Sequence, residues 1–134
     1  MPIPPNNPYQ KTHKATISGV DIELLVLEKA SMMMRRCQEN WTDDSFNRAL
    51  DDALRYNQKI WDVFQSDWRS PECPLSRTMR ENLLSLGIFV RKSTLDIMAY
   101  PKKEKLDSLI QINEHLVSGL KKQKENQVTP PPSE

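Results

Sequence analysis

Apolar residues recur at spacings of three and four through most of the chain, the signature of helices that each bury one side. The clearest stripe is Phe46, Leu50, Ala53, Leu54, Asn57, Ile60, Trp61, Phe64 and Trp68. It predicts a helix from Thr42 or Asp43 to about Ser66, with Thr42, Asp43, Asp44 and Ser45 supplying capping oxygens and charge suited to the helix dipole. Arg48, Asp51, Asp52, Arg55, Lys59 and Asp62 form its solvated face. An earlier run holds Ile22, Leu24, Leu25, Val26, Leu27, Ala30, Met32, Met33, Met34 and Cys37, and predicts a helix over Ser18 to Glu39. It is apolar over more than half its circumference. Such a helix is either central in the core or keeps a second face for a partner.

Pro71 and Pro74 make a joint of residues 69–74, stopping the second helix and resetting the direction of the chain. A third helix follows from Leu75 or Ser76 to Ala99. One apolar edge is Met79, Leu83, Leu86 and Val90; the next is Leu84, Ile88 and Leu95. Gly87 inside this face points to a close helix–helix approach, since glycine is otherwise unfavourable there. Pro101 ends the run and stands at or near the start of a fourth helix, Lys102 to Lys121, with Leu106, Leu109, Ile110, Asn113, Leu116, Val117 and Leu120 at helical spacing.

The expected architecture is all-α: a small four-helix domain over residues 18–122. An extended Pro-rich arm (1–17) precedes it, with Tyr9 as its only aromatic side chain, and a disordered tail (123–134) ends in Thr-Pro-Pro-Pro-Ser-Glu.

Composition narrows the function. Hydrophobic residues make up 37% of 134, below the usual share for a globular domain, so the core is modest. The 19 basic and 18 acidic side chains nearly cancel, and no basic stripe stands out. That argues against gripping nucleic acid through its phosphates. The three glycines are isolated, which argues against a phosphate-cradling loop. No stretch approaches the roughly 18 apolar residues of a membrane span. The N-terminal residues lack the basic start and apolar run of a signal peptide, so the chain is expected to be cytoplasmic, with Cys37 and Cys73 as reduced, small hydrophobes.

Catalytic chemistry finds no support. A nucleophile needs an adjacent base and a group to orient that base. His13 and His115 lie far apart, without motifs around them. The pairs Asp43-Asp44 and Asp51-Asp52 splay by about 100° on a helix, and suit capping and solvation better than acid–base work. Cys37 and Cys73 lack the close, regular ligand spacing of a metal site. The sequence therefore reads as a binding protein that is no enzyme, with no cofactor, no metal and no small-molecule substrate.

The stretch from Ala49 to Ser93 adds a resemblance. Ala49-Leu50, Asn57 with Trp61, the proline-containing joint, and then Leu75, Arg80, Leu83, Ser85, Leu86, Phe89 and Val90 follow the order and spacing of the FlaF family of flagellar biosynthesis proteins. Pro8-Tyr9-Gln10 also resembles the start of that family, so the likeness runs from residue 8 to about 120. Ile60 stands where the family often has leucine. The resemblance implies a role in filament formation, acting on flagellin between synthesis and export, alongside a second regulator, FlbT. A helical protein with surplus apolar surface suits a chaperone-like partner of flagellin, whose terminal segments are amphipathic helices. The alternative is a regulator of flagellin synthesis acting with FlbT or on flagellin mRNA. The residues expected to meet the partner are Met32, Met33, Asn57, Trp61, Phe64, Trp68 and Phe89. Large aromatics dominate interface energy, and methionine adapts to irregular surfaces. Of these, Trp61 also suits core packing, Asn57 an internal hydrogen-bond network, and the methionines core gaps.

Overall fold

The structure, a computed structural model, describes residues 19–128. It is all-α. Four helices succeed one another: α1 (Gly19–Glu39), α2 (Arg48–Arg69), α3 (Arg77–Ala99) and α4 (Leu106–Val128), with a 3₁₀ turn at Lys103–Lys105 leading into α4. No strand occurs among the described residues, and no described helix is long and apolar enough to cross a membrane. The arm at 1–17 and residues 129–134 of the expected tail lie outside the described residues.

The helix boundaries follow from local chemistry. α3 starts close to the expected Leu75 or Ser76, with Ser76 as its cap, the hydroxyl accepting from the Met79 amide at 3.1 Å. The start of α2 differs from the expectation by several residues. Asp43 instead accepts from the Ser45 amide and hydroxyl, and Asp44 accepts from the Trp41 indole at 2.9 Å. With those carboxylates occupied in a turn, capping falls to Asn47, whose Oδ1 accepts from the Leu50 amide at 2.9 Å. Phe46 is thereby left ahead of the helix and exposed. At the other end α2 runs on to Arg69 and carries Trp68 within its last turn. α4 starts after Pro101 and the 3₁₀ turn, and continues to Val128, past the expected end at Lys121.

Neighbouring helices are antiparallel. Asp21 pairs with Lys124, Glu28 with Lys121 and Arg35 with Glu114, a descending ladder that sets α1 against α4. Asp62 pairs with Arg91 at 2.9 Å and sets α2 against α3. These pairs are largely solvent-exposed and fix register more than they add stability, each contributing about 0–1 kcal/mol. At Gly87 α2 and α3 come close. A Cβ built there would collide with the Gln65 side-chain amide, so the glycine leaves room for the buried Gln65 side chain.

The spatial order is α3–α2–α1–α4. α1 packs on both α2 and α4, α2 packs on α3, and α3 shares few contacts with α4. The main core joins Met34, Leu50, Leu54, Trp61, Val90, Ile97, Leu106 and Leu109; a second cluster gathers Leu27, Ala30, Ile60 and Phe64. Through the main core runs a polar thread. The Trp61 indole donates to Asn113 Oδ1 at 2.9 Å, and Asn113 Nδ2 donates to Asn57 Oδ1 at 2.7 Å. All three side chains are fully buried.

Candidate functional site

Because α3 and α4 share so few contacts, the bundle is open between them. The first half of α3 and the second half of α4 form the walls of a groove of about 540 Å³. Its α2 side is made by Phe64 and Trp68, its α3 wall by Leu75, Met79 and Leu83, and its α4 wall by Leu116, Gly119 and Leu120, with His115 beside them. Trp68 is half-buried. It meets Trp61 edge-on, with centroids 5.7 Å apart, and lies tilted against Phe64 at the same distance. These contacts hold its ring at a defined angle, which lowers the ordering cost of any partner contact.

The apolar strip continues beyond the groove. Leu86 and Phe89 follow Met79 and Leu83 at helical spacing, and both are exposed. From Met79 to Phe89 this strip is about 15 Å long at 1.5 Å per residue. α3 is the least covered helix: Met79, Leu86, Ile88, Phe89 and Leu95 all rank among the exposed large hydrophobic residues. An apolar strip of this length matches a helix laid along a groove better than it matches a small molecule in a closed pocket.

One end of the groove is acidic. Glu23 near the start of α1, Asp67 near the end of α2 and Glu72 of the joint line it. Burial pushes the Glu23 carboxyl above its ordinary value, and the charge of Asp67 raises it further. The sign of the consequence is definite. A carboxyl whose pKa is raised by folding disfavours the folded state once it ionises. Stability therefore falls as pH rises through the window between the ordinary carboxylate value and the raised one. Glu23→Gln is expected to raise the unfolding midpoint at neutral pH, and the gain should vanish below the ordinary carboxylate range. Denaturation curves at pH 7 and pH 3 check this.

The expected contact residues fall into three places. Phe64 and Trp68 line the groove, and Phe89 lies along its extension. Asn57 and Trp61 sit inside the core, behind the groove, where they bond to Asn113 and Trp61 meets Trp68. Met32, Met33 and Met34 point three ways. Met32 is 44% exposed, Met33 packs half-buried against the core, and Met34 is fully buried. None of the three lines the groove. The sequence reading did not single out Leu75, Met79, Leu83, Leu116 or Leu120 as contact residues, nor the acids Glu23 and Asp67. The available signal was that α3 carries two apolar edges, more than one neighbouring helix can cover.

Cys37 and Cys73 are both free thiols. Burial pushes the Cys37 thiol up, with Asp52 adding to the shift, and Cys37 Sγ donates weakly to the Ala49 carbonyl at 3.5 Å. Neither feature favours a thiolate, the form a reactive cysteine needs.

The family model for the flagellar protein FlaF matches residues 5–120. No curated protein and no solved structure matches the chain.

Proposed function

The chain belongs to the FlaF family of flagellar proteins, and from that membership we propose that it binds flagellin in the cytoplasm and promotes its secretion and assembly into filament, without catalysing a reaction. The observation that carries this reading is the groove between α3 and α4, an apolar slot on the open side of a helical bundle. Flagellin's terminal segments are amphipathic helices that lack a partner until they assemble. A bundle missing one neighbour along α3 offers such a helix the cover it lacks, by the same packing that joins the four resident helices.

Two measurements test the proposal together. Purified protein mixed with purified flagellin at tens of micromolar is expected to form a complex that co-elutes on sizing chromatography. Loss of the protein from cells is expected to lower secreted flagellin while intracellular flagellin persists. Absence of a complex, together with a matching fall in both flagellin pools, would overturn the chaperone reading. That outcome would favour control of flagellin synthesis, through FlbT or through flagellin mRNA.

A further inference from the structure

The carboxylates of α1 and α2 are treated unequally. On α1, Asp21 and Glu28 are bonded to Lys124 and Lys121 of α4; on α2, Asp62 is bonded to Arg91 of α3. Glu23 and Asp67 lie on the same two helices and face the groove, and no cation pairs with either among the described residues. They sit close enough to repel each other, and Glu23 is partly buried beside an apolar floor. Like charges held together at an apolar surface oppose folding, an arrangement typical of surfaces that serve binding rather than stability. An incoming cation would relieve the repulsion, whereas an incoming acid would deepen it.

Resting on the groove being the flagellin-binding surface, we propose that its occupant is an amphipathic helix with a lysine or arginine at one end of its apolar stripe, placed to meet Glu23 and Asp67 while the stripe packs on Trp68, Met79 and Leu83. The acid pair then sets the direction in which the helix lies. Of the two antiparallel ways to seat an apolar stripe in the slot, only one brings the cation to the α1 end. Glu72 of the joint, in the same lining, adds charge of the same sign, while His115 stands on the α4 wall.

The test uses the full chain and two synthetic helical peptides of about fifteen residues, long enough to span the roughly 15 Å strip. Their leucine stripes are identical, and one end position carries lysine in the first peptide and glutamate in the second. Binding is read from tryptophan fluorescence. The lysine peptide is expected to bind about tenfold more tightly, and the double variant Glu23→Gln/Asp67→Asn should erase the difference while leaving apolar binding in place. Equal affinities for the two peptides, or a preference that survives the double variant, would overturn the inference. A dimer of this chain that Met79→Glu dissolves would also overturn it, by assigning the groove to a second copy. The underlying reading fails separately, if Met79→Glu leaves the flagellin complex intact.

Discussion

Asn113→Leu is expected to lower the stability of the domain by about 2–5 kcal/mol, although it makes the core more apolar. Asn113 is the middle member of the buried thread, accepting from the Trp61 indole and donating to Asn57. Leucine would fill a similar volume but leave the indole N–H and the Asn57 carbonyl oxygen without partners. Each orphaned buried group costs about 1–3 kcal/mol, because water cannot reach it. For a domain of this size the loss corresponds to a fall in melting temperature on the order of 10 °C. Thermal or urea denaturation measures it.

The thread also predicts a ranking. Asn57 is its terminal member, and its Nδ2 already lacks a partner among the described residues. Asn57→Leu removes that donor along with one good bond and orphans only Asn113 Nδ2, so it should cost less than Asn113→Leu. Replacing all three polar members together, with Trp61→Phe, Asn57→Leu and Asn113→Leu, should recover much of the loss. Apolar groups of matched shape leave nothing unsatisfied. If the triple variant were as unstable as Asn113→Leu alone, the cost would lie in shape rather than in hydrogen bonding.

Much of the fold was legible because its determinants are local. The stripe from Leu50 to Trp68 placed α2 on the correct residues of its inner face, Ser76 marked the start of α3, and Pro101 its end. The misplaced start of α2 has a specific origin. Thr42 to Ser45 look like capping residues, but Asp43 and Asp44 are drawn into a turn by Ser45 and by the Trp41 indole, and the Trp41 contact depends on how that ring packs. Asn57 and Asn113 could each be seen interrupting an apolar stripe. Their bond to one another spans two helices and required the fold.

The candidate site was less legible, for a physical reason. Met79, Leu83, Leu116 and Leu120 obey the same helical spacing as the core residues Val90 and Leu109. Periodicity tells which face of a helix is apolar, but not whether a second helix covers it along its whole length. Coverage depends on how far α3 and α4 part, a property of the assembled bundle. The surplus itself was visible. The broad apolar surface of α1 survives as the exposed Ile22, Leu25 and Met32, and the double edge of α3 as the exposed Leu86, Ile88 and Leu95. The sequence showed that some apolar surface would remain uncovered, while only the packing showed where it forms a slot.

The largest effect on binding is expected from Met79→Glu, which should weaken the flagellin complex at least a hundredfold while changing stability by only about 0.5 kcal/mol. Met79 is 49% exposed in the free protein, so a glutamate there remains solvated until a partner arrives. Once a helix seats against Trp68 and Leu83, the new carboxylate would be buried against apolar side chains near Glu23 and Asp67. A cost of several kcal/mol then falls on the complex alone. Trp68→Ala should also weaken binding, but less cleanly, because Trp68 packs on Trp61 and Phe64 and its loss disturbs the fold as well. Leu95→Glu supplies the control: it makes the same kind of change on the same exposed helix, on the flank away from the groove, and should leave binding unchanged. Titration of the three variants against flagellin, with denaturation curves recorded in parallel, separates contact from folding. Equal losses for Met79→Glu and Leu95→Glu would move the interface off the groove and onto α3 as a whole, because only a partner that wraps both flanks of that helix would sense the two changes alike.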